Sequence, residues 1–266
     1  MDKNVEITPN FSVKYYNDDY IKLIWKLYPG EREWTHPGRD IHDKKLDESI
    51  SRARSKIFEY AICNEWEFFV TLTLDKNKMD RYDLSEYIKK LGQWIRNQRR
   101  TGLDLKYLLI PEQHKDGAWH MHGLFNGFRE QDLREFTLKE NIPLYMKNLI
   151  CEGRKLYDVP KYREKFGFVS VERVKNQMAI SKYITKYVSK ALRYDLDREK
   201  EKKLYYVSRG LKTSEKIMVA ALPTAILEKA TTQGKKFDYV KILDMDSDQF
   251  YDFMQSYSRY INYTTK

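Results

Sequence analysis

The chain is poor in cysteine, with Cys63 and Cys151 the two such residues in 266. Two thiols far apart in sequence imply no disulfide framework, and a reducing, cytoplasmic setting (for this class of protein, a bacterial host cell) is the natural expectation. Long hydrophobic runs are missing too. No stretch of about 18 apolar residues is present, so a membrane span is not expected and the membrane is not an expected partner. The opening residues MDKNVEITPNFSVKYY lack the apolar core of a signal peptide. No internal repeat and no low-complexity linker breaks the sequence. No G-x-x-x-x-G-K-[ST] occurs, so a fused P-loop helicase is not expected. A length of 266 residues fits one large domain with extensions, or two small ones, and is enough to bury a core without covalent staples.

What is present is positive charge and tyrosine. Lys and Arg number 49 against 39 Asp and Glu, a net charge of +10, alongside 21 tyrosines and five tryptophans. Cations neutralise phosphates and rings stack on bases, so this mixture suits a nucleic-acid surface. A basic protein with no such partner has the same composition.

Residues 1–60 read as a polar, irregular extension with turn signals at Pro29-Gly30 and His36-Pro37-Gly38, apart from a helix beginning near 44 and running to 64. FFVTLTL, 68–74, is β-branched and aromatic and predicts a buried strand. On its pleat Val70, Leu72 and Leu74 face one way and Phe69, Thr71 and Thr73 the other. Asp83 and Glu86 form a capping-box start. Leu84, Tyr87, Ile88, Leu91, Trp94 and Ile95 follow at helical spacing, so an amphipathic helix is expected. Its basic end, with Arg96, Arg99 and Arg100, complements the helix C-terminus or touches phosphate. Strands are expected at 105–113 and 118–125, a polar helical stretch at 129–140, a strand at 166–173, a helix at 177–193, a strand at 203–209 and a helix at 247–262. Hairpin-connected strands with interspersed helices predict an α+β fold, an antiparallel sheet with packed helices. The expected division is an extension over 1–60, a central domain over 61–220 and a helical extension over 221–266.

Two of the five histidines lie in GAWHMHGLF, residues 117–125. Strand residues two apart share a face, so His120 and His122 project together. Paired imidazoles on a rigid sheet make half of a metal site; they are equally the mark of two hydrogen-bonded histidines on a sheet face. The outcome turns on the loop. If Lys115, Asp116 and Gly117 form a three-residue loop, Glu112 pairs with His120, Ile110 with His122, and Gly117 takes a left-handed conformation. If Asp116-Gly117 is a two-residue loop, Gln113 pairs with His120 and Glu112 turns away. The odd loop is favoured because a carboxylate neutralises a divalent cation better than an amide does. His114 shares the parity and is the reserve ligand. Two nitrogens and one carboxylate leave positions open for substrate oxygens, which with phosphate points to Mg²⁺ or Mn²⁺.

In SKYITKYVSKAL, Tyr183 and Tyr187 stand one helical turn apart on one face. Ile180, Ile184 and Val188 form the apolar stripe beside them, and Lys186 and Lys190 each follow a tyrosine by three residues. Tyrosines flanking such a stripe commonly serve in packing. As nucleophiles they would need a polarised target, which a metal on phosphate supplies, and a lysine to stabilise negative charge or hold DNA.

Taken in order, FVTLTL (69–74), HMHGLF (120–125) and YITKYVSK (183–190) resemble the three motifs of rolling-circle replication initiators of the HUH endonuclease superfamily, in its two-tyrosine branch found in phages and mobile elements. The motifs span about half of the chain. The resemblance implies a ferredoxin- or RRM-like sheet core, metal binding by His120, His122 and Glu112, nucleophiles Tyr183 and Tyr187, accompanying lysines Lys186 and Lys190, and a framework role for Thr71 and Thr73. It implies metal-dependent nicking of single-stranded or hairpin origin DNA through a 5′-phosphotyrosine, with a host helicase and polymerase as partners. Arg96, Arg99, Arg100, Arg209 and Lys212 are the candidate guides for the DNA backbone. A relaxase or transposase would share this chemistry, and a non-catalytic nucleic-acid-binding protein could share the scaffold.

Overall fold

The computed structural model describes residues 10–17, 20–26, 41–188 and 203–221. In chain order the elements are β1 (Asn10–Asn17), β2 (Tyr20–Lys26), α1 (Ile41–Ile62), β3 (Phe68–Thr73), α2 (Leu84–Arg100), β4 (Lys106–Gln113) and β5 (Trp119–Asn126). There follow β6 (Arg134–Glu135), α3 (Leu144–Cys151), β7 (Leu156–Asp158), α4 (Pro160–Lys165), β8 (Val169–Arg173), α5 (Gln177–Ile184), β9 (Tyr206–Val207) and β10 (Glu215–Ala221). These divide into two units, Asp40–Lys212 and the combination of Met1–Arg39 with Thr213–Lys266. The latter contains a three-stranded antiparallel sheet ordered β10-β1-β2. The strands at 10–17 and 20–26 replace the irregular stretch expected there. The helix expected at 247–262 lies outside the described residues.

The larger unit is α+β, as expected: a seven-stranded sheet ordered β6-β7-β8-β3-β5-β4-β9, antiparallel throughout. Each strand of the centre alternates between two cores. Phe68, Val70, Leu72, Leu109, Met121, Phe125 and Val171 bury on one face, against Leu84, Tyr87, Leu91, Trp94 and Ile95 of α2 and Tyr162 of α4. Burying such a row of large side chains, at roughly 1.5–3 kcal/mol each before entropy is charged against it, is what holds α2 to the sheet. The helix starts as its sequence predicts. The Asp83 carboxylate accepts from the Glu86 N–H at 2.9 Å, while the Glu86 carboxylate turns to Lys90 at 2.8 Å instead of closing the box.

The opposite face carries Leu108, Ile110 and Leu124 beneath Ala53, Ile57 and Ala61 of α1 and Ile184 of α5. At the β6–β7–β8 side a smaller core joins Phe136, Ile142, Met146 and Leu156. Here the expected helix over 129–140 is corrected: the chain makes a 3-10 turn at Glu130–Asp132 and then the two-residue strand β6. Helix-favouring residues are overruled by tertiary contacts, since Phe136 is buried, Arg129 pairs with Asp132 at 2.7 Å, and Arg134 reaches Asp158 at 3.1 Å. The strand expected over 203–209 is paired only at Tyr206–Val207, against Leu109 and Leu108.

Gly123, between the histidine pair and the rest of β5, is set by close packing. A Cβ there would fall 2.5 Å from Leu109 Cδ2 and 2.6 Å from the Leu108 carbonyl oxygen. The adjacent strand can therefore lie over β5 only where this side chain is absent.

Candidate active site

The hairpin decides which residues meet. The His114 N–H donates to the Ala118 carbonyl and the Gly117 N–H to the His114 carbonyl, each at 2.9 Å. Gly117 adopts φ +86°, open to glycine and strained for other residues. The loop is thus the three-residue one, and the register pairs Glu112 with His120 and Ile110 with His122. Glu112, His120 and His122 share one face of the sheet. Glu112 Oε2 lies 2.7 Å from His122 Nε2. The His114 ring sits against that of His120 with centroids 3.6 Å apart.

The neighbouring strand holds both imidazoles from behind. β3 pairs Thr71 with His122 and Thr73 with His120. The hydroxyl of Thr71 is 3.2 Å from His122 Nδ1, and that of Thr73 is 3.0 Å from His120 Nδ1. Threonine treated as framework is therefore the direct hydrogen-bond partner of each ring. The signal lay in the alternation of FVTLTL, which puts both hydroxyls on the histidine face. A hydroxyl either donates or accepts, so each threonine serves either tautomer of its ring.

Burial, reinforced by the neighbouring imidazoles of His114 and His122, pulls the His120 pKa down to about 4 against the opposing pull of Glu112 and Asp116. The ring is neutral at pH 7, the form in which imidazole is a ligand. With Nδ1 of both rings held by hydroxyls, Nε2 is the nitrogen left for a cation, and the Glu112 carboxylate is already beside one of them. This donor set of two imidazoles and a carboxylate fits a divalent ion with open positions. Among the described residues no group of three His, Cys, Asp or Glu side chains is already spaced to hold an ion. In its place the carboxylate contacts the His122 ring directly.

The tyrosine helix lies across this face. Asn176 caps α5 by accepting from the Ala179 N–H at 2.8 Å, and Ile184 and Val188 are fully buried against α1 and the sheet, as their stripe predicts. The helix is interrupted at Thr185 and resumes at 186–188, so the two tyrosines flank the interruption. The Tyr187 ring stacks on the His122 ring with centroids 3.7 Å apart and planes 16° apart. Its hydroxyl donates to that of Tyr183 at 2.7 Å. Tyr187 is 7% exposed and Tyr183 42%, so one phenol is sheltered and the other faces solvent. Burial first, then the bond to Tyr183, raises the Tyr187 pKa well beyond the ordinary phenol range. Phe69 packs edge-on to Tyr183 and stacks with His122, forming the apolar wall of the site. Lys186 Nζ stands 5.4 Å from the Tyr183 ring centroid. Lys190 lies outside the described residues.

The basic residues fall elsewhere. Arg96, Arg99 and Arg100 belong to α2, which packs on the sheet face opposite His120 and His122. Arg99 donates twice to the Leu105 carbonyl, at 3.1 and 2.5 Å, and Arg96 donates to Gln93 at 2.7 Å, so both serve local structure. Arg209 is exposed just past β9. The Lys212 main chain is clasped by Asn64 through bonds of 2.9 and 3.0 Å.

Residues 67–192 match the family model for the replication-associated protein ORF2. No curated protein and no solved structure matches the chain. No described helix is long and apolar enough to cross a membrane. The matched segment begins one residue before β3 and runs beyond Tyr187, taking in the histidine hairpin, its threonine partners and both tyrosines. Over these residues the chain carries the domain of the ORF2 family of replication-associated proteins, consistent with a rolling-circle replication initiator.

Proposed function

We propose that this domain nicks single-stranded origin DNA and transfers the strand through a 5′-phosphotyrosine, so beginning rolling-circle replication. The observation that carries the reading is the stack of Tyr187 on His122 with Tyr183 one hydrogen bond away, which brings both phenols to the paired histidines. Glu112, His120 and His122 would hold a divalent cation, Mg²⁺ or Mn²⁺, which when bound withdraws charge from the scissile phosphate. Tyr183 is the first nucleophile. It is exposed, and its oxygen accepts the Tyr187 hydroxyl proton, an interaction that strengthens as the phenol loses its own proton. Its oxygen bonds to phosphorus, the bond to the 3′ oxygen breaks, and that oxygen leaves with the electron pair and takes up a proton. The products are the tyrosyl phosphodiester and a 3′-OH able to prime synthesis. Lys186 sits where its charge can face the phosphate. Tyr187, sheltered and with its pKa raised, is held for the second transfer.

The test is incubation of the full chain with a labelled origin oligonucleotide and Mn²⁺, followed by mass spectrometry of the DNA-linked peptide. The expected result is an adduct on Tyr183 in the first turnover, retained in Tyr187→Phe and lost in Tyr183→Phe/Tyr187→Phe. An adduct in the double variant, or binding without cleavage under any metal, would overturn the mechanism.

A further inference from the structure

A groove of about 880 Å³ opens between α1 and the edge of the large sheet. Its walls carry three cations, Arg52, Lys56 and Lys203, and three aromatic rings, Tyr107, Tyr205 and Tyr206. We infer that this groove holds the unpaired DNA strand that flanks the scissile phosphate, with phosphates on the cations and bases on the rings. The inference rests on the nicking reading above and adds to it a separate surface for the substrate.

Three observations support it. First, the charge is available. Arg52 and Lys203 are exposed, and among the described residues neither has an ion-pair partner, whereas Lys56 is shared with Glu59 at 3.1 Å. Second, the rings are held in place. Tyr205 lies 6.2 Å from the Tyr60 ring, and Lys56 lies over that Tyr60 ring at 5.1 Å. Tyr107 packs against Phe125 at 5.9 Å, and Tyr206 is fixed by the pairing of β9 with β4. Half-buried, pre-positioned rings beside cations are what sequence-tolerant binding of single strands uses. Third, the groove lies on the same strand as the site. Val207 pairs with Leu108, and Glu112 is four residues further along β4, on the order of 13 Å away at the usual strand rise. A strand lying in the groove reaches the histidine face within a few nucleotides. The arginines of α2, on the far face, have no such path.

The experiment measures anisotropy of a fluorescein-labelled unpaired oligonucleotide with the full chain in EDTA, over a series of salt concentrations. Arg52→Gln/Lys203→Gln should bind roughly tenfold more weakly, and its log–log salt slope should be shallower by about 1.4, the value for two lost phosphate contacts on a single strand. Tyr205→Ala should lose affinity by about tenfold or more with the salt slope unchanged, as expected for lost stacking. Circular dichroism checks that each variant is folded, and Tyr205→Phe, which keeps the ring, should bind as the parent does. Variants that bind with parental affinity and slope overturn the groove assignment. Adduct formation at saturating oligonucleotide separates the two readings. A parent that forms the adduct while the variants bind normally sinks the groove alone. A parent that forms no adduct, with binding lost as expected in the variants, sinks nicking and leaves the groove standing.

Discussion

Replacing Thr71 or Thr73 with valine removes one hydroxyl from behind each imidazole and changes shape little. The two sites are not equivalent. His122 is held on three further sides, by Glu112 at 2.7 Å, by the Tyr187 ring at 3.7 Å and by Phe69 at 6.2 Å. His120 has the Thr73 hydroxyl at 3.0 Å and the His114 ring. Loss of a partner that orients a ligating histidine costs about 10–100-fold in metal affinity, or roughly 1.4–2.7 kcal/mol. Thr73→Val should fall toward the upper end of that range and Thr71→Val toward the lower, with the double variant near their product where the rings act independently. Fold stability should move by no more than about 1 kcal/mol, the size of one partly solvated hydrogen bond. Calorimetric titration with Mn²⁺ gives the affinity, and nicking rate against Mn²⁺ concentration gives the functional counterpart. The rate should recover at high Mn²⁺, because the hydroxyls act through the ligands. Unchanged Mn²⁺ affinity in both single variants would refute the reasoning, as would a rate loss that no concentration of Mn²⁺ restores.

Tyr87 and Tyr162 share a buried hydrogen bond of 2.6 Å between hydroxyls. Tyr87→Phe strands the Tyr162 hydroxyl in the core and should cost about 1–3 kcal/mol in urea unfolding, while Tyr87→Phe/Tyr162→Phe should recover part of it. Hydrogen bonding to Arg129 and to Lys161 holds the Asp132 carboxyl below its ordinary pKa. That stability is present above the unfolded value near 3.9 and is lost as pH falls through the lower folded value. Asp132→Asn should therefore be less stable than the parent at pH 7, with the gap closing below about pH 4 when unfolding free energies are compared across pH.

The parts of the site that were legible in the sequence are those set by local rules. Parity along β5 put His120 and His122 together, and Gly117 chose the loop that brings Glu112 alongside. Asp83 and the apolar spacing after it marked α2 almost to the residue. The rest depends on partners distant in sequence. β1 pairs with β10, some two hundred residues away, and nothing in the composition of 10–17 announces that strand. The short elements β6, β7, α3 and α4 are too brief for periodicity to register. The basic end of α2 suggested DNA from its charge. Its placement depended on which sheet face Trp94 and Leu91 would cover, which the helix alone does not state. The hydroxyl partners of the histidines were visible as residues and hidden as contacts until β3 was known to lie beside β5.

The carboxylate and both imidazoles all come from one hairpin, within eleven consecutive residues, whereas the hydroxyls come from a strand some fifty positions earlier. A peptide of residues 106–126 would therefore own every proposed ligand and lack what aims them. Slippage of β3 by a single position would swing both hydroxyls to the far side of the pleat at the same instant. Loading with metal is thus tied to completion of the sheet: a half-assembled chain, still short of its third strand, binds its cation loosely and is poorly equipped to cut DNA before it has finished folding.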